Sequence, residues 1–319
     1  MYKYIVKRML MMIPVLLGVT FIVFLLMYFA PGDPAKLILG DNAKPEDVLR
    51  LRQELGLETP FLQQFFSYVG RIVFHFDFGT SYVTKRSVMI EILERFHYTA
   101  RLAVLSTVVS VFIGLVCGVI AATRQYSIFD NMATAAALVG VSMPSFWLGL
   151  MLIIFFALNL GLLPASGSYG PPYWILPTIT LGTSSAANIM RMTRSSMLEV
   201  IRQDYIRTAR AKGQTEGAII FYHSLKNALI PVITVIGIQF GNLLGGSVVT
   251  ESVFAIPGIG KYMIDAIKQR DFPVVGGGVL FLAIIFGFIN LLVDILYSYI
   301  DPRIKSQYQT RRFTKGTAL

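Results

Sequence analysis

The side chains best able to do chemistry are scattered through this chain. His75, His97 and His223 lie far apart, and none stands in an HExxH or similar metal-ligating spacing. Cys117 is the single cysteine and sits inside an apolar run, so no disulfide can form within the chain. "GIGK" (258–261) looks like a phosphate loop, but GxxxxGK[ST] is absent because Tyr262 follows Lys261 and the first glycine is misplaced. A GxGxxG reading fails at Met263. Asp294 stands alone in an apolar segment, without the second carboxylate, nucleophile or metal ligands that an intramembrane enzyme requires. Catalysis, nucleotide binding and a metal site therefore have no residues to carry them.

Polar residues inside apolar runs remain, and these are costly in hydrocarbon. Gln239 and Asn242 share one run, and Asn290 and Asp294 lie four apart on one face of another. Gln239, Asn242 and Asn290 are candidates to line a translocation path. Hydrogen bonding across helices is the alternative for Gln239 and Asn242. Asp294, about two turns from Asp301, reads as the structural partner of an arginine near the inner face.

Those runs set the architecture. Charged residues are 14% of the 319, against roughly 25% in a soluble domain, and the mean hydropathy is +0.63. A helix needs about 20 mostly apolar residues to cross the hydrocarbon core. Residues 9–30 are one such run, too long for a signal-peptide core and followed by no cleavage site, so a retained anchor is expected. Residues 102–123 are the second. Between 131 and 190 there is no Asp, Glu, Lys or Arg, and "PASGSYGPP" (164–172) divides the stretch into a third and a fourth span. Residues 227–250 and 274–300 are the fifth and sixth.

Six spans place both termini on one side, and the bias of lysine and arginine says which. With the termini cytoplasmic, the inner segments hold 16 of the 28 basic residues and five of the 18 acids, while the outer segments hold 12 of each. The net charge of +10 thus follows from topology, and nucleic-acid binding has no support. The expected fold is an all-α membrane protein of six transmembrane helices with cytoplasmic N and C termini. Its parts are an N-terminal span (1–30), an extracytoplasmic segment (31–98), a five-helix core (99–303) with a charged cytoplasmic loop at 194–226, and a basic cytoplasmic tail (304–319).

Within the outer segment, "PEDVLRLRQELGL" (45–57) predicts a helix opened near Pro45 and stopped at Gly56. Phe61, Phe65, Phe66, Tyr68, Phe74, Phe76 and Phe78 follow, and read as a small cap that packs on itself at the membrane interface, with part of a receptor-docking surface as the alternative. A short outer helix is expected at 261–268. Gly114 and Gly118, and Gly237, Gly241 and Gly245, recur at four-residue spacing and predict close helix–helix approach.

The exception to the apolar pattern is "RTARAKGQTE" (207–216). The fourth span is expected to leave the membrane at Arg191 and Arg194 and continue as a helix. Asp204 can pair with Arg207 and stands four before Thr208. Gly213 can take a positive φ and end that helix. Thr215 can cap a second one, with Ile219, Ile220, Tyr222 and Leu225 on its apolar face, running to Asn227 before Pro231 opens the fifth span. Such a basic helix pair can lie on anionic lipid, or present a rigid plug to a cytoplasmic partner. Periodicity leaves both open.

Longer stretches narrow the choice. "DYIRTARAKG" (204–213) with "HSLKNALIP" (223–231) resembles the cytoplasmic EAA loop of permease subunits of ATP-binding-cassette importers, in the branch that imports dipeptides, oligopeptides and nickel. Other stretches resemble the same branch: "APGDP" (30–34), "SMPSFWLG" (142–149), "RMTRSSMLEV" (191–200), "ESVFAIPGIG" (251–260), "RDFPVV" (270–275) and "NLLVDILYSYIDPRI" (290–304), so that the similarity runs along nearly the whole chain. Aligned on Gly213, the general E-A-A-x3-G pattern keeps Ala209, while Arg207 and Thr208 replace the acid and the first alanine.

The resemblance implies a multi-pass permease of a bacterial or archaeal cytoplasmic membrane, non-catalytic and without a cofactor of its own. Its implied partners are a second homologous permease, two cytoplasmic ATPase subunits that bind ATP and Mg, an extracytoplasmic solute-binding protein and membrane lipid. The implied cargo is a di- or oligopeptide, with nickel or another small solute as the alternative. Arg207, Thr208, Ala209, Lys212 and Gly213 fall on the matched loop and are expected to contact the ATPase, with Asp204 and Glu216 flanking them.

Overall fold

The computed structural model describes residues 2–29, 32–40 and 43–300; the expected tail at 304–319 and the side chain of Asp294 lie outside the described residues. In chain order the helices are α1 (Tyr2–Phe29), α2 (Pro34–Leu39), α3 (Pro45–Glu54), α4 (Phe61–His75), α5 (Val88–Thr123), α6 (Ile128–Ser142) and α7 (Ser145–Leu152). They continue with α8 (Ile175–Ile201), α9 (Asp204–Ala211), α10 (Glu216–Ala218), α11 (Lys226–Gly246), α12 (Val248–Val253), α13 (Ile259–Lys268) and α14 (Phe272–Ile300). Among the described residues the only β pairing is an isolated bridge between Thr80 and Ser87.

Among the described residues four helices are long and apolar enough to cross a membrane: Ile5–Phe29, Val88–Thr123, Glu216–Gly245 and Phe272–Val293. The expected third span is two helices, α6 and α7–π(Ile153–Asn159), bent by 104°. Pro144 lacks an N–H and holds Met143 in an extended conformation (φ −76°, ψ 125°), which stops α6. The pair counts as a fifth crossing if it is one broken span. α8, the expected fourth span, is 27 residues long but is not among the four apolar helices. About half of it is buried, including Thr178, Thr180, Ser185, Thr193 and Ser196. A helix enclosed by protein has no need of an apolar circumference.

The expected short helix ending at Asn227 is instead the start of the long apolar helix Glu216–Gly245, which includes most of the expected fifth span. The chain stays helical from α10 through a π-turn, Ile219–Leu225, into α11. Lys226 keeps helical angles (φ −54°, ψ −42°), and Asn227 Nδ2 bonds the His223 carbonyl at 2.8 Å, so nothing interrupts the rod there.

The chain folds as two compact units, Met1–Ala100 with Ala255–Gly287 and Arg101–Phe254 with Phe288–Leu319. In the first, Asp33 caps α2 by accepting from Ala35 N (3.1 Å) and receives Arg52 of α3 at 3.0 and 2.6 Å. Pro45 opens α3 and Gly56 (φ +68°) follows its end, as the sequence predicts. Phe61, Phe65 and Tyr68 of α4 interlock with Phe21, Phe24 and Tyr28 of α1. Two buried carboxylates tie the 80–87 loop down. Asp271 accepts from the Ser81 hydroxyl and from Tyr82 N (3.0 Å); Glu91 accepts from the Tyr262 hydroxyl and from Thr84 Oγ1 (3.2 Å). Arg95 stacks over the Tyr262 ring at 4.0 Å. Beneath them lies a core of Phe78, Val88, Ile92, Ile259, Val274 and Phe281.

The second unit is built around α8. A Cβ on Gly114 of α5 would lie 2.7 Å from Ile189 Cβ, and one on Gly118 would lie 2.6 Å from Thr193 Cβ and 2.9 Å from the Met190 carbonyl oxygen. Ser110 Oγ bonds the Gly182 carbonyl across the same contact at 2.9 Å. Ala121, Ala137, Ala187 and Met190 fill the space where α5, α6 and α8 meet. On α11, Gly237 packs on Val293, whereas Gly245 faces open space, so the expected run of three packing glycines does not extend that far.

Two outcomes test this packing. Gly118→Ala is expected to destabilise by about 1–3 kcal/mol through overpacking, read as a lower unfolding temperature in detergent, while Gly245→Ala causes no loss. The Arg52 hydrogen bond, partly opposed by burial, holds the Asp33 carboxyl below its ordinary value of 3.8. A lowered carboxyl pKa contributes stability that is present above the unfolded value and lost as pH falls through the folded one. The gap in unfolding temperature between the parent and Asp33→Asn should therefore close as pH falls through the carboxylate range.

Candidate coupling surface

The charged loop rests on a fixed base. Where α8 ends, Arg194 Nε and Nη2 bond the two carboxylate oxygens of Asp130 at 2.6 and 2.7 Å. Asp130 is 2% exposed and also accepts from Tyr126 N at 2.9 Å. A bidentate guanidinium–carboxylate pair has one geometry, so the end of α8 is locked to the start of α6. Met197 of α8 packs with Ala122 of α5 and Ala228 of α11. Beside the pair lies an open groove of about 490 Å³ lined by Arg194, Ser195, Leu198, Glu199, Arg202 and Gln203.

From that base α9 projects with a sharply divided surface. Ile206 and Ala209 are buried against Ile219, while Asp204, Tyr205, Arg207, Thr208 and Lys212 are exposed. Gln203 is extended (φ −72°, ψ 148°) and turns the chain into the helix. At the other end Gly213 takes φ +76°. Its N–H bonds the Arg210 carbonyl at 2.9 Å and Gln214 N bonds the Ala209 carbonyl at 3.3 Å. These are the paired bonds of a Schellman stop, which satisfies the last carbonyls of the helix. Thr215 is extended (φ −66°, ψ 146°) and its side chain accepts from Ala218 N at 3.4 Å, the N-cap that the sequence predicts.

One clasp straddles the glycine and a second closes just after it. Arg210 Nε and Nη2 reach Glu216 at 2.8 and 3.3 Å, and His223 Nε2 lies 2.6 Å from Gln214 Oε1. The Asp204–Arg207 pair, at 3.9 Å and largely in solvent, is weaker. Thr208 Oγ1 donates to the Asp204 carbonyl at 3.0 Å.

Of the residues expected at this surface, Asp204, Arg207, Thr208, Lys212, Gly213 and Glu216 are exposed together, and Ala209 is turned inward. Ala209 is small because Ile206 and Ile219 close over it. Arg210, Gln214 and His223 are the residues that sequence reading passed over. The only available signal was an Arg–Glu spacing of six across a glycine. Among the expected path residues, Asn242 Nδ2 lies 3.4 Å from Gln239 Oε1 on α11, and Asn290 is half-buried on α14.

Other motifs converge within the second unit. A Cβ on Gly149 of "SMPSFWLG" would sit 3.1 Å from the ring of Phe254, the Phe of "ESVF", and 3.4 Å from Thr180 of α8. Gly167 N bonds the Phe254 carbonyl at 2.8 Å. Within the second unit the polar α8 packs against α11 and, through Gly114 and Gly118, against α5, both long and apolar enough to cross a membrane, which is the make-up of a helical membrane protein.

Comparison with known proteins agrees. Residues 114–306 match the binding-protein-dependent transport system inner membrane component, and residues 1–103 match the corresponding N-terminal membrane component. The chain belongs to this family: it is a non-catalytic permease subunit of an ATP-binding-cassette importer, a multi-pass protein of the bacterial cytoplasmic membrane that works with ATPase and other transporter subunits. It is 45% identical to the dipeptide transport system permease protein of Alkalihalophilus pseudofirmus, over 96% of this chain and 100% of the relative. It is 43% identical to the glutathione transport system permease protein of Escherichia coli K12, over 96% and 99%. A chain of the inward-facing MetNI methionine transporter has the same fold over 67% of this chain and 97% of its own, at TM-score 0.55 and 22% identity.

The geometry at Gly213 makes a specific prediction. No atom lies within 4 Å of a Cβ there, so an alanine suffers only the left-handed backbone penalty of about 1–2 kcal/mol. Gly213→Ala should speed amide exchange across 204–218 with little change elsewhere, and Gly213→Asn, which tolerates that conformation better, should lie between it and the parent.

Proposed function

We propose that this chain is one of a pair of permeases forming the path of a di- or oligopeptide importer, with six spans and both termini cytoplasmic. In this reading 31–98 is extracytoplasmic, 99–303 holds the five-helix core, and 194–226 is the loop that docks on an ATPase subunit. Two ATPase subunits bind ATP and Mg, an extracytoplasmic solute-binding protein delivers the peptide, and a second homologous permease supplies the other wall. Asp204, Arg207, Thr208, Lys212, Gly213 and Glu216 form the ATPase-facing surface, with Ala209 supporting it from within. Gln239, Asn242 and Asn290 are the proposed path residues.

The observation that carries the coupling role is the preset loop itself. α9 is held by its buried face, by a Schellman stop and by two clasps, on a base fixed through Asp130–Arg194. A body held this way transmits a push to the spans as a shear displacement rather than absorbing it. Peptide cargo is supported by the dipeptide and glutathione permeases to which the chain is most of a length similar. Glutathione, itself a modified tripeptide, is the second reading; nickel or another small solute is the alternative from the same machinery.

Uptake in cells with and without this chain, challenged with di-, tri- and longer peptides, glutathione and nickel, tests the cargo. Short peptides should compete, and competition by nickel alone would overturn the peptide reading. Gly213→Pro, which cannot take φ +76°, should leave the chain inserted while ATP hydrolysis no longer drives uptake. Parent-level transport by that variant would overturn the coupling role.

A further inference from the structure

α4 has three faces, and two of them are apolar. Successive helical residues are about 100° apart, so Phe61, Phe65, Tyr68 and Ile72 share one face. This is the face that interlocks with Phe21, Phe24 and Tyr28 of α1. Leu62, Phe66, Val69 and Val73 form a second stripe roughly a quarter-turn round the helix. Its members Leu62, Phe66 and Val73 are 60%, 66% and 58% exposed. Gln63, Ser67 and Arg71 occupy the third face and are exposed as well. Phe74 and Phe76, at the end of the helix, are 80% and 73% exposed.

We propose that the Leu62–Phe66–Val73 stripe is a lipid-contact surface, and that α4 lies in the membrane interface beside the C-terminal end of α1. Three observations select lipid as the occupant. The stripe continues the surface of the first span, whose apolar stretch is only 6% buried and whose Ile22, Leu26 and Phe29 are exposed. In a multi-pass membrane protein that surface belongs to hydrocarbon. The stripe carries no hydrogen-bonding group, whereas protein interfaces make about one hydrogen bond per 100–200 Å². Finally, an apolar face and a largely polar one divide the solvent-accessible side of α4 between them, interrupted by the exposed Phe74 in the last turn of the polar face, which is the pattern of an interfacial helix. The polar face of Gln63, Ser67 and Arg71 is then turned to water and headgroups.

The test is site-directed spin labelling on a Cys117→Ala background, which removes the single native thiol. The chain, purified from its own membrane and placed in phosphatidylcholine nanodiscs, is labelled one position at a time at 62, 66 and 73 and at 63, 67 and 71. Collisions with oxygen, which concentrates in lipid, should exceed those with a water-soluble nickel chelate at 62, 66 and 73. The order should invert at 63, 67 and 71. A nickel chelate that reaches 66 and 73 as freely as 67 would overturn the proposal in favour of a water-exposed cap. Exclusion of both reagents from 62, 66 and 73 would overturn it in favour of a protein partner.

Discussion

Helices in a membrane gain little from burying one apolar side chain against another, because lipid is equally apolar; close backbone approach and polar contacts must hold them together. In the second unit Gly114 and Gly118 supply that approach, since a methyl at either would intrude on Ile189, Thr193 and the α8 backbone. The rest follows from it. With α5 this close, the Ser110 hydroxyl reaches a carbonyl on α8, and alanines suffice to fill the junction with α6. α8 can then be polar where another span could not, and its far end brings Arg194 onto Asp130.

That ion pair is where packing becomes mechanics. A buried bidentate pair is poor evidence for net stability, but it fixes geometry, since breaking one side leaves an uncompensated charge. On this base the loop is shaped by backbone conformation more than by its charges. Exposed ion pairs such as Asp204–Arg207 contribute about 0–1 kcal/mol, whereas the left-handed turn at Gly213 and the Ile206–Ala209–Ile219 contact decide where α9 points. The charges of Asp204, Arg207 and Lys212 thereby stay at the exposed surface of the loop.

The first unit uses its polar residues differently. Glu91 and Asp271 are nearly inaccessible to solvent, yet Asp271 accepts from a hydroxyl and from backbone N–H groups of the 80–87 loop and Glu91 from the hydroxyls of Thr84 and Tyr262, so their desolvation is offset by hydrogen bonds at fixed positions. Neither residue is distinguishable in the sequence from an ordinary surface acid. Their partners stand 171 and 190 residues away, on α13 and in the 80–87 loop. Local pattern carries no information about such pairings.

By itself the sequence determined what depends on neighbours along the chain. Apolar length defined the four long apolar helices, Pro45 and Gly56 bounded α3, and Gly213 and Thr215 ended one helix and began the next, because capping and backbone freedom act within a few residues. Only the tertiary structure decided how far the chain bends at Pro144, the union of α10 with α11, the inward turn of Ala209 and the clasp between Arg210 and Glu216. It also decided which glycines pack, since Gly118 and Gly245 are alike in sequence but only Gly118 has a helix against it. A glycine, an alanine or an arginine takes its role from what lies across from it, and that is fixed by the packing of distant helices.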